Sequence, residues 1–310
     1  MKKISLLFML VVVSNAFAQK SKVQAAWRSL NDYESTVKDG KPELSYLNKA
    51  KDAINLGLIN DETKNSGKAY GYKARIMYAY YTYSLSQELK KIEETVKDKK
   101  EAVELAYGNT PTTDIEAASE AIEKIKDVDA KYMKIIQDGF LKGPGDLGEE
   151  DARFLVVASQ VKMEAANIAS GKYKAKKFEE AADYFYRVAN LNMSLTNKKD
   201  TANMYNACVA AGKSKNGAKI MDYNKKMIDM EVATAYNFQS VYSGYLSNKD
   251  TTAALEVLKK GRSVFPDNID LLNTETNLFL QKGKAQEAVT INGLNMLKLQ
   301  ADKAWEIWHS

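Results

Sequence analysis

Cysteine and histidine are almost missing: the 310 residues hold one of each, Cys208 and His309. A single cysteine cannot close a disulfide within the chain. A single histidine leaves no multi-histidine metal site and no zinc finger, and His309, next to the last residue, gives no basis for a histidine-based triad. Glycine-rich phosphate loops, dinucleotide turns, G-x-S-x-G, H-E-x-x-H and EF-hand patterns are absent. So are alternating β-branched runs beyond the first residues, which argues against sheet. No cofactor and no metal are expected. Carboxylate chemistry survives these exclusions, but Glu149-Glu150-Asp151 and Glu179-Glu180 read as solvated helix acids.

Apolar residues make up 45% of the chain, a globular value. The one long apolar run is Ile4–Val13, broken only by Ser5. It follows Lys2 and Lys3 and precedes Ala16-Phe17-Ala18, with Ala16 and Ala18 in the small-residue positions of a cleavage signal. Residues 1–18 therefore read as an export signal, too short to span a bilayer. The expected product is exported to a periplasm, with no stable membrane anchor, or passed onward to the surface. Losing two lysines lowers the net charge from +5 to +3. Charges alternate in sign, as in Lys90-Lys91-Ile92-Glu93-Glu94, which describes solvated helix faces and gives no stripe for nucleic acid.

All four prolines fall at breaks: Pro42, Pro111, Pro144 and Pro266. Between them Ala, Leu, Lys, Glu, Gln and Met dominate, so the expected fold is all-α. Helices are expected at 25–33, 43–58, 68–89, 89–107, 113–126, 128–139 and 149–174. Asn60–Gly67 reads as a polar loop and Gly143–Gly148 as a hinge. The domain reading is 19–148, an N-terminal helical region with a charged insertion, then 149–310, a repeat array with a terminal cap.

Small or aliphatic positions recur at Ala181, Ile220, Ala254 and Ala288, spaced 39, 34 and 34 residues. In Phe238–Pro266, Phe238, Val241 and Tyr245 are large positions of a first helix. Ala254, Leu258 and Gly261 lie on a second, which Pro266 ends. Met204, Ala207, Cys208, Ala211, Ile220, Asn224 and Met227 repeat this pattern one unit earlier; Ile168, Ala169, Ala181, Phe185 and Val188 repeat it one before that. Leu272, Phe279 and Ala288 form a weaker last copy, with Glu275, Asn292 and Asn295 at positions usually apolar or small. This 34-residue pattern resembles the tetratricopeptide repeat, firmly over 165–298 and more loosely over 22–83. The resemblance implies an α-solenoid of four to six helix–turn–helix pairs, curved into a right-handed superhelix, whose first helices line a concave groove that binds protein segments.

Six tyrosines crowd residues 70–83. Tyr70, Tyr78 and Tyr81 share one helical face; Tyr72, Tyr80 and Tyr83 share another. They could stack on a peptide or a sugar, with Lys73 and Arg75 near for a carboxylate, or they could be core. Asn203, Asn206, Gln239, Tyr242 and Tyr245 are the other groove candidates. Cys208 reads as a small buried hydrophobe. Asp200-Thr201-Ala202 fits an O-glycosylation pattern at Thr201 and equally an Asp helix cap. Trp305 and Trp308 share a face that either caps the last repeat or self-associates. The reading is a non-enzymatic scaffold or adaptor for an envelope protein or peptide segment. Its alternatives are a glycan or small-ligand binder and, further off, a carboxylate-based hydrolase.

Overall fold

The computed structural model describes residues 21–281 and the isolated helical positions 290 and 293. The signal residues Ala16 and Ala18, together with Ala288, Trp305, Trp308 and His309, lie outside them. Among the described residues the chain is all-α, without strands. It divides into two compact units between Asn203 and Met204. This corrects the boundary expected at Gly148. The Pro144–Asp146 turn, a short 3-10 helix, is internal to the first unit, because the helices on either side of it share one core. Glycine and proline mark a turn here, not a domain edge.

The first unit comprises α1 (21–38), α2 (Leu44–Leu58), α3 (Gly67–Glu93), α4 (Lys99–Asn109), α5 (Thr113–Val128), α6 (Ala130–Lys142), α7 (Glu149–Lys174) and α8 (Phe178–Thr196). Helix α3 carries two apolar stripes and buries both. Ala69 and Ile76 join Leu30 of α1 and Leu47 and Ile54 of α2. Ala74, Met77 and Tyr81 join Ile122 of α5, Ile136 of α6, Phe154 and Val161 of α7, and Leu191 of α8. The tyrosines follow the same division. Tyr70 and Tyr78 pack on the second core, Tyr72 and Tyr80 on the first. Each fully buried Leu or Ile in such a core contributes about 1.5–3 kcal/mol.

The helix expected over 89–107 is broken. Helix α3 runs on to Glu93, and Asp98 starts α4 by accepting the Glu101 N–H at 2.9 Å. Helix α6 begins at Asp129, whose carboxylate accepts the Tyr132 N–H at 3.0 Å and the Gly67 N–H at 3.1 Å, tying the start of α3 to α6. Helix α7 spans the residues its sequence pattern indicates.

Helix α9 (Thr201–Ser214) carries the division point. The second unit continues through α10 (Gly217–Asp229), α11 (Ala235–Ser247), α12 (Thr251–Val264) and α13 (Ile269–Gln281). Helices α11 and α12 form a tight hairpin. Phe238 and Val241 interlock with Ala254 and Leu258, and Phe265 meets the Phe238 ring edge-on at 5.9 Å. Gly261 is buried against Phe238. Between α10 and α11, Asn237 donates to Asn224 Oδ1 at 2.7 Å, and Asn224 donates to the Ile220 carbonyl at 2.7 Å. This pairing satisfies two asparagines that are almost fully buried. Glu275, unexpected in an apolar position, accepts from Arg262 Nε at 3.1 Å.

The helix ends repeat as well. Lys176, Lys215 and Lys249 each adopt a left-handed conformation, with φ of 60°, 61° and 61°. Each lies five residues before Ala181, Ile220 and Ala254, so the turns share the spacing of the small positions. At 176 and 249 the following N–H returns to the carbonyl five residues back, Lys177 to Lys172 and Asp250 to Tyr245, both at 2.9 Å. These are Schellman endings, which satisfy carbonyls the helix leaves open. Helix α1 ends the same way at Gly40.

Candidate functional site

Helix α11 has a face of small residues: Ser240, Ser243, Gly244 and Ser247. Short side chains cannot fill the space between α10 and α13, and an open groove of about 530 Å³ remains. Ile220 and Met221 of α10 form an apolar wall, and Thr274 of α13 lies opposite. Gly244 permits the close approach, since a Cβ there would stand 3.0 Å from the Met221 sulfur. Tyr236 also borders the groove and is 66% exposed. Gln239 and Tyr242 complete the lining. Tyr242 is nearly buried, and burial raises its phenol pKa.

Among the described residues, the side chains lining the groove include no Lys, Arg, Asp or Glu. They offer hydroxyl and amide donors and acceptors beside thioether, aliphatic and phenol surface. That combination suits a chain segment with an exposed main chain and uncharged side chains.

The expected groove residues do not all meet here. Gln239 and Tyr242 do. Tyr245 does not: nine steps of 100° from Tyr236 put it half a turn away. It packs on the α11–α12 core, with the Lys225 ammonium 5.4 Å from its ring centroid. A hydrogen bond with Tyr245 raises the Lys225 pKa. Asn203 is committed to the start of α9, where its side chain donates to Asp200 Oδ2 at 2.9 Å and its main chain to Asp200 Oδ1 at 3.0 Å. Asn206 is exposed on α9. Thr201 is exposed at the first position of α9, beside the capping Asp200.

In the first unit, Tyr81 is 1% exposed and its hydroxyl has no hydrogen-bond partner. It is a core residue and offers no surface to a partner, which corrects its place among the groove candidates. Tyr70, Lys73 and Tyr78 are half-buried on the same helix. Burial, with the Glu164 charge, pushes the Tyr78 phenol up to about 12. Of the repeat positions, Ala181, Ala254 and Leu258 are buried and Phe185 packs on the first-unit core. Cys208 is buried, and burial pushes its thiol up to about 11, which keeps it protonated and unreactive.

The sequence patterns above do not single out Tyr236, Ser240, Ser243 or Ser247. The available signal is the three- and four-residue spacing of serine and glycine along one face of α11.

A buried ionic network lies in the first unit. Arg75 of α3 is 2% exposed and donates to Glu34 of α1 at 2.8 Å and Glu150 of α7 at 2.6 Å. Burial works against the Arg75 charge, but the two carboxylates outweigh it and its pKa is raised. Glu150 is likewise opposed by burial, yet Arg75, Trp27 and Arg153 hold its pKa below the ordinary glutamate value. A carboxylate so held stays ionised and is poorly poised to take up a proton as a general base.

Among the described residues no group of His, Cys, Asp and Glu is placed to hold a metal ion. No described helix is long and apolar enough to cross a membrane. The fold thus defines an all-α protein of packed helical hairpins. No protein-family model matches the chain, and no curated protein matches it.

Proposed function

We propose that the chain is a tetratricopeptide-like scaffold that acts without catalysis after export to the periplasm, holding an extended, uncharged protein segment in the α10–α11–α13 groove. The observation that carries this reading is the groove itself, about 530 Å³, lined by Tyr236, Gln239 and three serines on one face of α11. Its position supports the reading, because α11 is the first helix of the best-matched repeat, the one expected to face a partner. The recurring lysine turns support the repeat assignment. An extended segment would lay its main chain against Gln239, Ser240 and Ser243 and place apolar side chains on Met221, Ile220 and Tyr236.

The test is crosslinking in cells of the tagged full chain, expressed with its own signal, followed by mass spectrometry. Ser243→Trp should fill the groove and Tyr236→Ala should remove its exposed anchor. One dominant envelope protein, captured by the parent and lost from both variants, is expected. Capture unchanged in both would overturn the groove assignment. Because the lining is uncharged, affinity should change little between low and physiological salt.

A further inference from the structure

The first unit contains a second recess, on the side of α1 turned away from its core. Trp27, Asn31, Glu34, Ser35 and Lys38 recur at four-, three- and one-residue steps along this face of α1. Glu149, Glu150 and Arg153 of α7 close the other side around about 300 Å³. That volume is at the lower end of ligand pockets, which run from about 300 to 1,000 Å³. We propose that this cleft is a carbohydrate site that takes one neutral sugar ring, with Trp27 as its aromatic wall.

Charge balance selects the ligand class. Arg153 pairs with Glu149 at 2.6 Å and Glu34 at 3.3 Å. Arg75, behind the wall, pairs with Glu34 and Glu150. Lys38, exposed at the rim, offsets the remaining negative charge. A phosphate would meet three carboxylates, and a cation would meet Arg153 and Lys38. An apolar ligand would strip water from charged walls without replacing its hydrogen bonds.

A sugar hydroxyl both donates and accepts. This wall offers both functions: carboxylate acceptors at Glu34 and Glu149, guanidinium donors at Arg153, and groups of either kind at Asn31 and Ser35. Arg153 Nη1 also lies 3.4 Å from Asn31 Oδ1, a long contact that an inserted hydroxyl could replace with two shorter ones. Arg75 fixes the positions of Glu34 and Glu150, so part of the wall is set before a ligand arrives and little ordering remains to be done on binding. Trp27 adds a flat, half-buried surface of the kind on which the C–H face of a sugar ring packs.

The site is independent of the α11 groove, and the test keeps the two apart. The full chain, labelled with 5-fluorotryptophan, has three tryptophans, Trp27, Trp305 and Trp308. Its fluorine spectrum therefore holds three resonances, and Trp27→Phe identifies one. The probes are the methyl glycosides of glucose, galactose, mannose and N-acetylglucosamine, with galacturonate and glucose 6-phosphate as charged controls, at about millimolar concentrations. The expected result is a saturable shift of the Trp27 resonance with at least one neutral glycoside. Asn31→Ala should weaken that binding about tenfold. Ser35→Ala, at an exposed position of the same face, is a second and milder variant that keeps the test open should Asn31→Ala disturb the packing of α1. Ser243→Trp should leave the shift unchanged. No Trp27 shift with any neutral glycoside, or binding as tight in Asn31→Ala and Ser35→Ala as in the parent, would overturn the site. A response confined to the charged sugars would overturn the ligand class.

Discussion

Gly261 of α12 lies so close to Phe238 of α11 that a β-carbon at position 261 would stand 2.9 Å from both Cβ and Cγ of the phenylalanine. The hairpin can close only because this side chain is missing. Alanine is the better helix former by about 1 kcal/mol, but here it would have to push Phe238 off Leu258 and Ala254. Gly261→Ala should therefore destabilise the second unit by about 1–3 kcal/mol, read as a lower urea midpoint. Gly171 in α7 has nothing within 4 Å of its added Cβ. Gly171→Ala should stabilise by about 0.5–1 kcal/mol. Equal effects of the two substitutions would mean that packing against Phe238 does not set the first.

Lys249 ends α11 in a left-handed conformation, φ 61°, that costs a side-chain-bearing residue about 1–2 kcal/mol. Glycine adopts it freely but loses more chain entropy on folding. The net expectation for Lys249→Gly is a gain of up to about 1 kcal/mol. Lys249→Val, branched at Cβ, should instead lose stability. Thermal melts of both variants check the sign. Reversed signs would show that the turn does not hold this conformation in solution.

The Arg75 network gives the first unit an acid limit. Glu150 has a folded pKa below its ordinary value of 4.5, because Arg75 and Arg153 outweigh burial. The folded state thus binds fewer protons than the unfolded one. Its contribution is fully present above about pH 4.5 and is lost as pH falls through the folded value. Glu150→Gln should flatten the stability profile below pH 4.5. Arg75→Ala should cost more, about 3 kcal/mol, because it leaves two carboxylates facing each other across a cavity. A parallel acid profile in Glu150→Gln would remove Glu150 as its source.

Much of the helical framework is legible in the sequence. The hairpin of α11 and α12 is, because Ala254 and Gly261 are small where a crossing requires it. Helix α7 is, because Gly148 and the acids after it mark a start. The burial of α3 on both faces is not: a tyrosine-rich helix has the same pattern whether its second face meets solvent or α1 and α2. Nor is the groove, which arises from side chains too short to fill it. Tyr245 is misplaced by its pattern alone, because a large residue on a first helix can serve either the groove or the hairpin core, and its partner Lys225 lies on another helix.

Tyr81 separates core from surface most sharply. Its ring is 1% exposed among α5, α7 and α8, and its hydroxyl lacks a hydrogen-bond partner. An unsatisfied buried hydroxyl costs about 1–3 kcal/mol. Tyr81→Phe keeps the ring and removes that cost, so it should raise stability by about 1 kcal/mol and leave partner capture unchanged. Burial also raises the pKa of Tyr81, and pushes Tyr78 and Tyr107 up to about 12. Each of these folded values lies above the ordinary 10.0, so the neutral phenols support folding fully below pH 10 and progressively less as pH rises toward 12. Tyrosinate absorbance should rise in two steps, the second coinciding with loss of helix by circular dichroism. In Tyr81→Phe that second step should shift to higher pH. A destabilised Tyr81→Phe, or a single titration step near pH 10, would show that this tyrosine is reached by solvent.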